Sequence, residues 1–560
     1  MGSRVQIPLV TLFHEDERPC WVSRFLCFVP RILSNLAPVG TIERLMTESF
    51  YITTPIYYPN GEPHLGHCYC TIVTDVLARY HRLAGQRTWF LTGTDEHGIK
   101  MVKTAADLGT TPGELADKNS AIFRDFWREL GITNDDYIRT SEPRHKLAVQ
   151  EIVRRMIAKG DIYLGGYEGW YDEGQEEFVT ETEAKIREYK SAINGKPLVR
   201  YKEPSYFFRI SKYAPQVLAY IEANPDFIQP ESRRNEVLSK LKGGVDDLSI
   251  SRATLKWGIP MPHDPEHVVY VWIDALSNYI TAMGFTSADP RKYDEFWPGV
   301  HIIGKEILWF HAVYWPAMLM SLGEPLPKTI FAHGWWTSNG MKMSKTLGNA
   351  IDLVKIRSVI STYSLDAFRY YMARAANFGS DLDWTDTDFI KAFNELANVL
   401  GNCLNRTLKM VNKYRDGRIP PAEAQLQDID QSLMDRTQKT PDEVYAAYER
   451  FDLQGASLLP IELARQTNGY IDATEPFKLA KDPEKAARLD TVLNLSAQAI
   501  YRAMVLMLPI LPEKAAAGLK QLGVDPAGKT LAELLASPLP VGHKLGEGQP
   551  LFPKVEVVKV

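Results

Sequence analysis

Two segments near the amino end are rich in β-branched and aromatic residues, and a helical pattern separates them. SFYITTPIYY (Ser49–Tyr58) reads as a strand. Pro59, Asn60, Gly61 and Pro63 break it. From Leu65 to Leu83 apolar residues recur at helical spacing, with Val73, Leu77 and Tyr80 on one face. RTWFLTGTDEHG then reads as a second buried strand that runs into a polar loop. Strand, turn, helix and strand open a parallel α/β sheet, a fold that binds ligands at the carboxyl ends of its strands.

Further along, the alternation loosens between about 161 and 265 (YEGWYDEGQEEFVTETEAK, then PSYFFRISKYAPQVLAYIEANP), which reads as an inserted domain. HVVYVWIDALSNYI, VHIIGKEILWFHAVYWPAMLM and TIFAHGWW restore the strand-and-helix pattern, with Trp309 and Trp315 read as core. From about Asp386 to Leu511 the signal is purely helical. The expected fold is therefore a Rossmann-like α/β parallel sheet made of two halves, 46–160 and 266–385. The insertion 161–265 separates those halves, an all-α bundle spans 386–515, and a Pro- and Gly-rich tail at 516–560 packs back on the body. No internal repeat is apparent.

Composition narrows the class. At 560 residues the chain is too long for one core. A net charge of −5 excludes a global basic field, so any nucleic acid would have to be held by local patches. No apolar run approaches the length of a membrane span, and no membrane association is expected. Five cysteines, thinly spread and odd in number, do not form a disulfide framework; a reducing, cytoplasmic setting is the expectation. Residues 1–45 have acids inside a basic, irregularly apolar stretch, which fits neither a transit nor a signal peptide. Met46 follows at once, so an extended start and a loosely packed tail are expected.

Two clusters carry candidate chemistry. PHLGHCYC (Pro63–Cys70) could suggest a metal, but zinc needs four ligands and no second pair follows in the folded part. Residues two apart on a helix do not meet, so Cys68 and Cys70 point to different faces. The better reading uses position: His64, Gly66 and His67 sit where a strand turns into a helix N-terminus, a natural phosphate site. Imidazoles there can donate to phosphate oxygens, and a glycine lets a flat base approach the backbone. Far downstream, NGMKMSKTLGN (Asn339–Asn349) puts Lys342 and Lys345 in a glycine-flanked loop, suited to neutralising a triphosphate during reaction.

Together, HLGH (His64–His67) and KMSKT (Lys342–Thr346) resemble the HIGH and KMSKS signatures of the class I aminoacyl-tRNA synthetases. TTPIYYPNGEPHLGH, TGTDEHGIK, VYVWIDALSNY, IIGKEILWFHAVYWPAML and NGMKMSKTLGN, in that order, are similar to the methionyl-tRNA synthetase family from Ser49 onward. The resemblance implies ATP-dependent activation of L-methionine and its esterification to tRNA(Met), with Mg²⁺ accompanying ATP. It implies that His64, His67, Lys342 and Lys345 are catalytic. Gly66, Gly304, Glu306 and Met343 would join them in holding ATP, with Glu306 accepting from ribose hydroxyls where some relatives have aspartate.

Asp95, at the end of the second strand, is the natural partner for an ammonium group, with helix capping as its alternative. The methionine pocket carried over is Ile56, Tyr58, Asp95, Trp272, Ala275, Leu276, Tyr279, Ile307 and His311. Its aromatic rings suit a thioether. Homocysteine is smaller by one methylene, worth about 1–3 kcal/mol, so editing by its cyclisation is an implied side activity. Asn402 and Arg406, four apart on a helix with basic character at Lys391, Lys409, Lys413, Arg415 and Arg418, match an anticodon-reading pair. Phe477 in TEPFKL stands where the family usually has a stacking tryptophan.

Two departures also follow. The insertion has no cysteines, so no structural zinc is expected, and Gln175, Glu176 and Glu177 read as ordinary polar residues. No oligonucleotide-binding domain follows Leu511, and a monomer is the default. Synthetases for isoleucine, valine and leucine carry an editing insertion for which there is no room. A small-molecule nucleotidyltransferase would not need the basic helical region, and a non-catalytic tRNA binder would not need the histidines and lysines.

Overall fold

A computed structural model describes residues 49–343, 351–375 and 379–552, except 176 and 180. The amino-terminal extension, with Cys20 and Cys27, and the lysine loop from Ser344 to Ala350 lie outside the described residues. Strand β1 (Phe50–Tyr57) leads through the proline-rich turn into helix α1 (Leu65–Leu83). Strands β2 (Thr88–Thr94) and β3 (Asp136–Arg139) follow, then helix α2 (Pro143–Ala158). After the insertion come strand β4 (Ile228–Gln229), helix α3 (Val271–Thr281), strand β5 (Val300–Gly304) and strand β6 (Thr329–His333).

These six strands form one sheet in the order β3–β2–β1–β5–β6–β4, with every pairing parallel. Helices on both faces bury Ile52, Phe90, Leu91, Ile302 and Ile330, as a parallel sheet requires. β4 comes from the stretch 161–265, so part of that stretch completes the central sheet. The strands Ile162–Asp172 and Val199–Phe208 pair antiparallel in a separate four-stranded sheet. That local pairing explains why the strand–helix alternation loosens there.

Helix α1 ties the sheet to the helical region. Its Val73, Leu77 and Tyr80 are fully buried. Asp75, also fully buried, accepts from the Thr133 N–H at 2.7 Å and pairs with Arg79 and Arg369 at 2.7 Å each. Arg369 lies on helix α4 (Leu365–Arg374) and donates to the Pro509 and Ile510 carbonyls at 3.4 and 3.3 Å. Beyond α4 run helices α5 (Asn402–Arg415), α6 (Asp428–Glu449), α7 (Leu453–Thr474) and α8 (Ala486–Leu506). Tyr80 stacks on Tyr448 of α6, centroids 4.1 Å apart, and its hydroxyl donates to Glu449 at 3.2 Å. The tail returns to this body, burying Leu545, Leu551 and Phe552, with the Ile419 N–H donating to the His543 carbonyl.

Of the two tryptophans read as core, Trp315 is fully buried. Trp309 is only partly so, and its ring lies under the Lys240 ammonium at 4.2 Å. Among the described residues no helix is long and apolar enough to cross a membrane.

Burial pushes the Asp75 carboxyl up, but the Arg369 and Arg79 guanidiniums outweigh it and hold it below the usual carboxylate range. Asp75→Asn keeps the shape and leaves Arg369 buried without its carboxylate. It should cost about 3–5 kcal/mol, read as a lower urea midpoint of the unfolding transition.

Candidate active site

Strand order reverses between β1 and β5: the chain steps outward to β2 and β3 on one side and to β6 on the other. Loops leaving β1 and β5 therefore part in opposite directions and open a crevice at their carboxyl ends. Helix α1 begins on one side of it. The polar turn ends at His64, which caps the helix: its Nδ1 accepts the Gly66 N–H at 3.1 Å. In return, the His64 N–H donates to His67 Nδ1 at 3.3 Å. The rings stack with centroids 3.8 Å apart, and Tyr57 and Phe123 back His67.

This capping has a chemical consequence. Each Nδ1 is an acceptor, so a neutral imidazole at either position carries its proton on Nε2 and is a donor there. Burial and the neighbouring His64 hold the His67 pKa well below its ordinary value, which keeps that ring neutral. The result is a helix N-terminus with two oriented N–H donors, an arrangement built for an anion. A Cβ on Gly66 would lie 3.1 Å from His64 Cε1 and crowd the ring.

On the other side of the crevice is a cavity of about 240 Å³. Ile56, Tyr58, Asp95, Trp272, Ala275, Leu276, Tyr279, Ile307 and His311 all line it, and so does Glu306. β1 supplies Ile56, the loop after β2 supplies the buried Asp95, and α3 supplies the four residues from Trp272 to Tyr279. Trp272 stacks on Phe310 with centroids 3.8 Å apart and planes 4° from parallel. Tyr279 Oη is 2.7 Å from His311 Nε2, and His311 Nδ1 is 3.0 Å from the Ile307 carbonyl. A carbonyl can only accept, so His311 is the Nδ1–H tautomer and the Tyr279 hydroxyl donates to Nε2. Burial pushes the His311 pKa down to about 4.

Gly304 and Glu306 lie at the end of β5. The Trp335 indole N–H donates to Glu306 at 2.8 Å, and a Cβ at position 304 would lie 2.5 Å from that carboxylate. Lys342 pairs through its backbone with Thr337, and Met343 packs partly buried on the core. Lys345 lies outside the described residues; just beyond the loop, the Ile351 carbonyl accepts the N–H of Leu65 in the first turn of α1. Cys68, Cys70 and Cys403 are buried free thiols, and among the described residues no His, Cys, Asp and Glu group is placed to hold a metal ion.

Sequence reasoning missed several wall residues: Pro55, Lys100, Gly174, Gln175, Ile193, Asn278 and Phe310. Gln175 was read as an ordinary polar position; the insertion folds so that it and Ile193 face the cavity. Asn278 and Phe310 each had a local signal, a place between two residues of the family's pocket. Beneath Tyr279, His301 was also missed. Its ring stacks on Tyr279 at 3.9 Å and lies between Thr53 and the Trp315 indole N–H.

Asn402 and Arg406 share a face of α5. Arg406 bonds Asp472 at 2.5 Å and Asn468 at 3.3 Å, both on α7, and Asn402 is exposed. Phe477, just past the end of α7, is 49% exposed. The basic character read for this region needs correction. Lys391 pairs with Asp388, Arg406 with Asp472 and Arg415 with Asp490, so carboxylates from neighbouring turns and helices offset it. Lys409, Lys413 and Arg418 are exposed.

Comparison with known proteins follows the same lines. The family model described as "tRNA synthetases class I (M)" matches residues 50–187 and 182–408. The methionine–tRNA ligase of Halalkalibacterium halodurans is 45% identical over 91% of this chain and 79% of its own length. That of Bacillus subtilis is 44% identical over 91% and 78%. The methionyl-tRNA synthetase of Mycobacterium tuberculosis, solved with methionyl-adenylate, superposes with a TM-score of 0.86 at 39% identity, covering 90% of this chain and all of that one. A parallel sheet with a cavity at its reversal point and a histidine-capped helix beside it is the architecture of a class I aminoacyl-tRNA synthetase, and the chain is one. Within that class it belongs to the methionyl-tRNA synthetase family.

His311 makes the site acid-sensitive. Its ring takes a proton near pH 4 when folded and near 6.5 when unfolded, so the unfolded chain binds more protons between those values. The stability tied to the neutral ring is complete above about pH 6.5 and is lost as pH falls towards 4, on the order of 3 kcal/mol. His311→Gln should therefore flatten the fall in melting temperature between pH 7 and pH 5.

Proposed function

We propose that the chain activates L-methionine with ATP to methionyl-adenylate, releasing pyrophosphate, and transfers the methionyl group to tRNA(Met). The observation that carries this reading is the 240 Å³ cavity, lined by Asp95 and an aromatic and aliphatic wall, beside the donor-bearing start of α1. In the reading, the Asp95 carboxylate holds the ammonium group. Trp272, Ala275, Leu276 and Ile307 enclose the side chain, and aromatic contact suits its sulfur. The Tyr279 hydroxyl donates to His311 Nε2, so the end they close is polar but satisfied.

Held this way, a carboxylate oxygen of methionine attacks the α-phosphorus in line as the bond to the bridging oxygen breaks and pyrophosphate leaves. The protein positions the reactants and stabilises charge. His64 and His67, protonated on Nε2, donate to phosphate oxygens. Lys342 and Lys345 neutralise the departing pyrophosphate, Glu306 accepts from the ribose hydroxyls beside Gly304, and Met343 adjoins the nucleotide. Mg²⁺ accompanying ATP would supply further positive charge at the triphosphate, beside that of Lys342 and Lys345. Asn402, Arg406 and Phe477 read the anticodon. Arg406 would exchange its ion pair with Asp472 for RNA contacts, and the phenyl ring would stack on a base. The working assembly is a monomer.

Methionine-dependent ATP–pyrophosphate exchange tests the activation step without tRNA. Lys345→Ala should lower it by roughly 10²–10³-fold, and Trp272→Ala should raise the methionine KM while leaving that of ATP in place. No exchange with methionine would sink the reading. Arg406→Ala should cost about 1–3 kcal/mol in tRNA affinity, measured by charging, with exchange as the internal reference.

A further inference from the structure

Behind the cavity lies an array of buried polar side chains to which the reaction above gives no role. His97 Nδ1 is 2.6 Å from Asp274 Oδ2, and His145 Nε2 is 2.7 Å from Asp274 Oδ1. None of the three is more than 2% exposed. His145 Nδ1 lies 2.7 Å from the Thr281 hydroxyl, so the ring that donates to Asp274 can accept from Thr281. Burial alone would push the Asp274 carboxyl up; the two imidazoles outweigh it and bring it down to about 2.

The array joins three elements. His97 is in the loop after β2, two residues past Asp95. Asp274 is on α3 between Trp272 and Ala275, and His145 is in the first turn of α2. The loop's backbone is held as well: the Asp95 N–H donates to the Tyr57 carbonyl at 2.9 Å, the Glu96 N–H to Thr140 at 2.9 Å, and the Trp257 indole to the Glu96 carbonyl at 2.6 Å. What remains is the relation between this loop and α3, and the His97–Asp274 bond fixes it. A buried carboxylate is an expensive way to join two elements, and what it provides over apolar packing is direction and a fixed length.

We propose that His97 and Asp274 are positioning residues that set the span between the ammonium end of the amino-acid cavity and its side-chain wall. The site thereby measures side-chain length and prefers methionine to the shorter homocysteine. The proposal rests on the cavity being the methionine site. Uncharged support would let the wall drift relative to Asp95, and misplacement of about 1 Å can cost roughly 10²-fold even when it originates away from the reacting atoms.

The test is ATP–pyrophosphate exchange by the full chain and Asp274→Asn, with methionine and homocysteine as substrates, alongside melting temperatures. An asparagine can still accept from His145 and donate to His97 in its other tautomer, so shape is kept while the charge is lost. The methionine KM should rise roughly tenfold or more, the ATP KM should stay in place, and the kcat/KM preference for methionine over homocysteine should fall. His97→Gln, whose amide can reach Asp274, should recover part of what His97→Ala loses; this pair decides the matter if Asp274→Asn does not fold. An unchanged methionine KM and preference would overturn the proposal. So would methionine and ATP KM values rising together with a lower melting temperature, because that is the mark of a merely structural role. Wild-type chain inactive with methionine would instead overturn the assignment of the cavity itself, and this proposal with it.

Discussion

Helix α1 starts beside the cavity with a histidine-capped first turn and buries most of the rest of its length, and the architecture follows from holding it in that state. A helix N-terminus leaves backbone donors unpaired, and these bind an anion best where the surroundings do not cover them. The two histidines satisfy part of that need from their Nδ1 atoms, which leaves the proton of each neutral ring on Nε2. Further along, the buried pair of Asp75 and Arg369 and the Tyr80–Tyr448 stack bind the same helix to α4 and α6. One rod thus runs from the histidine-capped turn to the helical region, and the core packed around it is continuous from the sheet to the carboxyl-terminal helices.

The cavity depends on a second constraint, the reversal of strand order between β1 and β5. That reversal separates the loops and leaves room for a ligand; burial then decides the chemistry of what lines it. His67, His301 and His311 are all pushed below their ordinary pKa, mainly by desolvation. They act as neutral rings whose tautomers are set by fixed partners, and so as directional donors and acceptors rather than charges. Asp95 and Glu306 bring carboxylates to the same cavity.

Charge in the helical region shows how far linear reading can mislead. Along α5 and its exit the basic residues outnumber the acids, yet Asp472 and Asp490 come in from α7 and α8 to meet Arg406 and Arg415. A patch read from one helix is incomplete until its neighbours are counted, and exposed ion pairs of this kind are weak enough to be exchanged for another partner.

Much of the fold was legible because its signals are local. Strand β1, the break at Pro59–Pro63 and helix α1 depend on side-chain period and turn chemistry, and these act within a few residues. The residues of the cavity were legible only through family resemblance, since Trp272 and Tyr279 would otherwise read as core. The sequence by itself determined strand β1, the turn after it and helix α1, where a helix start with two histidines would stand, and which family the chain resembles. The tertiary structure alone decided that Ile228–Gln229 closes the central sheet, that Gln175 and Ile193 face the cavity, and that His97, Asp274 and His145 meet. Those contacts join residues far apart in the chain, and their partners are fixed by packing geometry, which leaves no periodic trace in the sequence.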